Sequence, residues 1–228
     1  MNNHRIYIII PVFNENSGVV KNLLEELLLA GYSVIVIDDG SENDLLPAIK
    51  GLPVHYIRHA VNMGQGAAIQ TGLDYARKLN AEIAVTFDAD GQHRVADIQA
   101  LIEPLTHPGI DVTLGSRFIA GSRDTIPFSR RMILQLARFV NFLFTGNLLS
   151  DAHNGLRAFN KKAIASINLQ ENRMAHASEI LFEIREHGLV YREVPVSIHY
   201  SSYAMKKGQS GWNSIKILFD LVLHKFFK

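Results

Sequence analysis

Short runs of β-branched and aliphatic residues alternate with helical patterns through the first half of this chain, and that alternation narrows the possible folds sharply. Ile6–Ile10, Ser33–Ile37, Val54–Ile57, Ile83–Phe87 and Val112–Leu114 read as strands. Val19–Ala30, Gly66–Leu79 and Val95–Leu105 read as helices, with Ile69, Leu73, Ala76 and Leu79 on one face. Strands that are apolar along their whole length must be covered on both sides, and the intervening helices supply the cover. The pattern predicts an α/β fold with a mostly parallel central sheet and helices on both faces. Ligands in such sheets sit at the strand carboxyl ends, near a reversal of strand order.

The chain has 228 residues and shows no internal repeat or low-complexity linker, so one continuous domain over 1–228 is the economical reading. Hydrophobic residues make up 47% and charged residues 20%, enough for a sizeable core. A net charge of +1 argues against a nucleic-acid binder. The absence of cysteine excludes disulfides, thiolate metal sites and a cysteine nucleophile. Met1–Arg5 lacks a signal peptide's layout, and no apolar run approaches the roughly 20 residues that span a bilayer. The expectation is a cytoplasmic protein, soluble or lying on a membrane surface.

The second half changes character. Ser129–Leu149 is a long helical pattern carrying Arg130, Arg131 and Arg138, and Ala175–His187 is another. Val194, Val196 and Ile198 alternate within a strand-like Val190–His199, followed by a polar loop, Ser201–Gly211. The last helix, Asn213–Phe227, forms an amphipathic appendage: Lys216, Asp220, His224 and Lys228 make a narrow polar stripe on a wide apolar surface. Such a helix packs against the domain or a partner, or lies in a bilayer interface.

Polar motifs fall where the sheet rule wants them. Pro11–Glu15 follows the first strand, Asp38–Ser41 the second and Asp88–Gln92 the fourth. In a strand, residues two apart point the same way, about 7 Å apart. Asp88 and Asp90 are therefore expected to project together, and two like charges so placed call for a cation. A hard Mg²⁺- or Mn²⁺-type ion, completed by water and phosphates, suits oxygen ligands; His93 is read as a turn residue. Pro11 is expected to stop the first strand and leave Phe13 and Glu15 facing the crevice. Asp39 can accept hydrogen bonds from a nucleobase or ribose, while Asp38 can instead cap the next helix with Ser41. Asn62–Gly66 opens a helix with two glycines, either as a plain cap or with N–H groups facing a phosphate.

Ile10–Asn16, Val36–Ser41, Asn62–Ala67, Asp88–Gln92, Gly115–Phe118 and Asp151–Phe159 follow one another in an order that resembles the GT-A-type family 2 glycosyltransferases. The last two motifs are most similar to the branch of dolichol-phosphate mannosyltransferases and polyprenyl-phosphate glycosyltransferases. The resemblance covers nearly the whole chain. It implies a nucleotide-sugar half over 1–118 and an acceptor half over 119–228. It implies Asp90 as principal metal ligand, with Asp88 near the nucleotide and Gln92 as a further oxygen. Pro11, Phe13, Glu15, Asp39, Gly64, Gln65, Gly66, Asp88 and Ala89 then line the donor site, and the Lys206–Ser210 stretch, with Lys207, resembles a mobile loop closing on the diphosphate.

On the acceptor side, Arg117, Arg131 and Arg138 can form a basic cradle, since guanidinium forks match phosphate geometry. A phosphate acceptor needs positioning and charge shielding but no general base. A hydroxyl acceptor needs a carboxylate, for which Glu179 is the first candidate and Asp151 the second. Arg157 is expected to pin its loop through Asp151. His153 and His176 depart from the lipid-phosphate branch. The resulting expectation is metal-assisted, inverting transfer of a sugar from a nucleoside-diphosphate donor to a polyprenyl phosphate or lipid-linked glycan in envelope polysaccharide or glycolipid synthesis. The alternatives are transfer to a hydroxyl of a soluble saccharide and an inactive sugar-nucleotide-binding scaffold. A phospho-receiver module, suggested by Val34–Asp39, runs to about half this length. Donor base, sugar and oligomeric state stay open.

Overall fold

The computed structural model describes residues 5–119, 149–151, 154–173 and 175–197. The strands are β1 (Ile6–Val12), β2 (Ser33–Asp38), β3 (His55–Arg58), β4 (Ile83–Thr86), β5 (Val112–Ser116), β6 (Arg157–Asn160) and β7 (Tyr191–Pro195). They form one sheet in the order β3-β2-β1-β4-β6-β5-β7. Pairing is parallel except where β6 runs antiparallel between β4 and β5. The mostly parallel sheet is as expected. β6 is an addition, and it inserts a strand from the second half between two from the first.

The helices are α1 (Ser17–Leu29), α2 (Leu46–Ile49), α3 (Gln65–Lys78), α4 (Ile98–Leu105), α5 (Lys161–Ser166) and α6 (His176–Glu186). Alternation along β1 sends Ile6, Ile8, Ile10 and Val12 into the core shared with α1 and α4. Tyr7 and Ile9 go into the opposite core, with α3, α5 and α6. The α1 helix starts where the Asn16 side chain accepts the N–H groups of Gly18 and Val19, and it buries Val20, Leu23, Leu24 and Leu27 at helical spacing. Gly72 lets α3 sit tightly on β1: a Cβ there would meet Ile9 Cγ2 at 2.2 Å.

β1 does not stop at Pro11. It continues to Val12, with Pro11 opposite Ile37 and Val12 opposite Asp38 on β2. Pairing with β4 ends at Ile9 and Thr86, so the missing proline N–H falls beyond the last rung on that side. No described helix is long and apolar enough to cross a membrane. The expected helices Ser129–Leu149 and Asn213–Phe227 lie outside the described residues, as does the Ser201–Gly211 loop.

Candidate active site at the carboxyl edge of the sheet

The β4 exit is built differently from the strand geometry expected of it. β4 ends at Thr86, and one more bond, from Phe87 N–H to Ile9 O at 3.0 Å, carries the chain to the edge. Asp88 and Asp90 therefore sit on a turn, with Gly91 at φ +73°, and not on a continuing strand. Ala89 between them is 4% exposed and packs into the core, so it does not line the crevice. Asp88 is a hub. Gln65 Nε2, from the first turn of α3, donates to its Oδ1 at 2.9 Å, and His93 Nε2 lies 3.1 Å from its Oδ2.

His93, expected as a turn residue, is buried and structural. Its ring packs edge-on to Phe87, and its Nδ1 is buried with no hydrogen-bond partner among the described residues. A bare nitrogen lone pair tolerates that position better than an N–H would, which assigns the proton to Nε2, facing Asp88. Burial pushes the Asp88 carboxyl up, but the His93 bond and the electropositive His93, His176 and Arg157 side chains around it outweigh burial and hold the group below its ordinary value. Gly155 makes room for this carboxylate, since a Cβ there would meet Asp88 Oδ2 at 2.3 Å.

Asp90 is the more available acid. Gln92 donates to it twice, through its backbone N–H at 3.0 Å and through its side-chain amide. Burial and the charge of Asp88 raise its carboxyl, and the Gln92 bonds only partly oppose them. Charging Asp90 beside Asp88 is costly, and a divalent cation would remove that cost. The oxygen donor set fits a hard ion, with Asp90 as the natural ligand because both Asp88 oxygens are engaged. Gln92 would have to turn its amide oxygen towards such an ion. Among the described residues no group of three or more His, Asp or Glu side chains forms a metal cage.

The β2 exit corrects a second expectation. Asp38 is fully buried; it accepts the Ser41 N–H at 2.9 Å and the Tyr56 hydroxyl at 2.8 Å, so it caps a turn and not a helix. Asp39 is 2% exposed and turned inward. Its oxygens accept Met63 N–H at 2.9 Å and Gly64 N–H at 2.7 Å. The Ala67 N–H is taken by Asn172 O at 3.2 Å. Much of the anion nest expected for a phosphate at the start of α3 is thus filled from within, and Asp39 is its anion. Gly64 and Gly66 serve close packing: a Cβ would meet Asn172 O at 2.2 Å and Glu171 O at 2.0 Å respectively. Gly66→Ala is expected to push the 170–172 segment off α3 and lower the melting temperature by several degrees, about 1–3 kcal/mol of overpacking; an unchanged melt would contradict this packing.

Phe13 is 44% exposed at the end of β1, and Glu15 follows it at intermediate exposure. Between them Asn14, at φ +51°, donates its N–H to Ser41 Oγ at 3.0 Å and accepts Glu42 N–H on Oδ1 at 2.9 Å. That reciprocal clasp ties the β1 and β2 exits together, and sequence reading missed it. An asparagine directly after the strand, opposite a serine, was the available signal.

The acceptor-side residues exchange roles. Arg117 grips Asp151 bidentately, Nε to Oδ2 at 2.6 Å and Nη2 to Oδ1 at 2.7 Å, and its own N–H adds a third bond at 3.1 Å. Arg117, not Arg157, pins Asp151, and its guanidinium fork is committed to a carboxylate. Burial raises Asp151, but Arg117 more than compensates and holds it below its ordinary value, unsuited to a base. Arg157 is 3% exposed and donates to Asn154 O at 3.0 Å and Ala177 O at 3.1 Å. Burial lowers its guanidinium to about 10, with Asp151 and Asp88 opposing, so it stays a cation at neutral pH.

Glu179 is also committed: its oxygens accept Gln170 N–H at 2.8 Å and Glu171 N–H at 2.9 Å. It clamps the loop that covers the start of α3. Lys162 goes to Asp111, at 2.9 Å. His176 is buried, with Nδ1 2.7 Å from Arg173 O. Arg131, Arg138, Lys207 and His153 lie outside the described residues.

The sheet order β3-β2-β1-β4-β6-β5-β7, with an acidic turn at its carboxyl edge, can be set beside known proteins. The Glycosyl transferase family 2 model matches residues 7–167, and the chain belongs to that family. It is 34% identical, over 98% of its length and 97% of the relative's, to a UDP-N-acetylglucosamine–dolichyl-phosphate N-acetylglucosaminyltransferase of Methanococcus voltae. It is 24% identical to a polyprenol monophosphomannose synthase of Mycolicibacterium smegmatis, over 95% and 85% of the two chains. The fold is the GT-A fold. It matches glucosyl-3-phosphoglycerate synthase from Mycobacterium tuberculosis, crystallised with Mn²⁺, UDP and glucosyl-3-phosphoglycerate, with a TM-score of 0.69 at 17% identity, covering 96% and 80% of the chains.

Proposed function

We propose that this protein transfers a sugar, with inversion, from a nucleoside-diphosphate donor to a polyprenyl phosphate at the inner face of a membrane. The observation that carries the reading is the commitment of both candidate bases. Glu179 clamps two backbone N–H groups, and Asp151 is locked to Arg117. A hydroxyl acceptor needs a carboxylate to take its proton, whereas a phosphate monoester is already largely dianionic at neutral pH and attacks unaided. The names of the Methanococcus and Mycolicibacterium relatives support the same acceptor class.

In this reading the exposed Phe13 and Glu15 meet base and ribose, and Asp90 with Gln92 holds a Mg²⁺ or Mn²⁺ ion. Bound there, such an ion would supply positive charge to offset the diphosphate of the leaving nucleotide. Asp88, held by Gln65 and His93, keeps α3 against the acidic turn. Basic side chains of the acceptor half, Arg131 and Arg138, shield the incoming phosphate.

The test is transfer from radiolabelled sugar nucleotides to polyprenyl phosphate in detergent, with Glu179→Gln alongside wild type. The amide keeps one acceptor oxygen but loses the other, so stability should fall by about 1–2 kcal/mol. Turnover on polyprenyl phosphate should stay within about fivefold, because no proton transfer is lost. Collapse of turnover in a folded Glu179→Gln protein would favour a base and a hydroxyl acceptor instead.

A further inference from the structure

We propose that His59 is a positioning residue for donor binding: through Asp39 it sets the loop that opens α3, an inference resting on the donor reading above. His59 follows β3, and its backbone N–H is fixed by Asp38 O at 2.8 Å. Its ring is largely buried, with Nδ1 2.7 Å from Asp39 Oδ1 and Nε2 3.0 Å from Thr71 Oγ1. An ionised carboxylate only accepts, so Nδ1 carries the proton that faces Asp39. The Thr71 hydroxyl can rotate to give or take the second bond, so both ring nitrogens have a partner.

The relay joins three elements. Asp39 leaves β2, His59 leaves β3, and Thr71 lies inside α3. The same Asp39 carboxylate holds Met63 and Gly64 N–H, and Gly64 stands at φ +105° directly before α3. Gln65, the next residue, donates to Asp88. Without His59, Asp39 keeps its two N–H bonds but loses the group that fixes its rotation against α3. The 62–65 loop, and with it the Gln65–Asp88 contact at the donor crevice, then loses its register.

The test compares wild type with His59→Leu and His59→Asn. Asparagine can place an N–H where Nδ1 stood and so keeps the bond to Asp39. Binding of UDP and GDP is measured with Mn²⁺ present, and KM for donor and for polyprenyl phosphate is measured separately. His59→Leu should weaken nucleotide binding and raise donor KM by about tenfold, the scale of one charge-assisted hydrogen bond. Acceptor KM should stay put, and His59→Asn should recover most of the loss. Unchanged nucleotide binding in His59→Leu, or donor and acceptor KM rising together, would overturn the inference. If His59→Leu does not fold, Thr71→Val removes only the far bond; it should raise donor KM alone, and an unchanged donor KM overturns the proposal. A wild type that binds neither nucleotide overturns the donor reading itself, and this inference with it.

Discussion

Asp90→Asn is expected to lower glycosyl transfer by about 10²–10³-fold, the usual loss when one preorganised charge contact to the reacting group is removed. The fold should not suffer. Burial and Asp88 raise the Asp90 carboxyl, so its ionised form is disfavoured in the folded protein. A group whose folded value lies above its unfolded one works against stability once the pH exceeds both. In chelator at neutral pH, Asp90→Asn should therefore melt at the wild-type temperature or slightly above it. Asp88→Asn should behave in the opposite way. Gln65 and His93 both donate to that carboxylate, and its surroundings hold it below its ordinary value, so its charge adds stability at neutral pH that an amide removes. It should lose stability along with activity. Paired thermal melts and radiolabelled transfer assays separate the two acids; an Asp90→Asn protein with turnover within tenfold of wild type would contradict the assignment.

The second large effect is on stability. Asp151→Ala should destabilise the protein by about 3–5 kcal/mol, because it leaves the Arg117 guanidinium buried without its carboxylate. The two side chains are 1% and 9% exposed, so solvent cannot replace the lost partner. Asp151 also sits below its ordinary value of 3.8, so its contribution is complete above that pH and fades as the pH falls through the lower folded value. Denaturant melts at pH 7 should show the full loss in Asp151→Ala, and the gap to wild type should narrow below about pH 4. A variant melting within 1 kcal/mol of wild type at pH 7 would mean that the pair is solvated.

Much of the sheet was legible from β-branched runs alone, because strands covered on both faces leave a continuous apolar signature. β6 was not. Arg157-Ala-Phe-Asn is only four residues long and begins with a charge that turns out to be buried. That the acidic turns lie at the carboxyl edge of the sheet was also legible, since strand ends and acidic residues coincide in sequence. What could not be read was which oxygen meets which donor. Arg117 and Arg157 are equally basic, and only the fold shows that the first reaches Asp151 while the second reaches the carbonyls of Asn154 and Ala177. Asp39 and Glu179 looked like ligand-facing acids because each is a carboxylate near a motif. Both are satisfied by backbone N–H groups from segments distant in sequence, Met63–Gly64 and Gln170–Glu171. Glycine spacing at 64 and 66 suggested a phosphate cradle, yet the same small residues admit the chain's own carbonyls.

The central claim is that the turn beginning after Phe87 holds a divalent ion and, through it, a nucleoside diphosphate. Calorimetric titration of UDP and GDP into wild type and Asp90→Asn, with Mn²⁺ and then with chelator, tests it directly. The account predicts binding of one nucleotide that requires the metal and disappears in Asp90→Asn. Equal affinity with chelator, or undiminished metal-dependent binding in the variant, would contradict it.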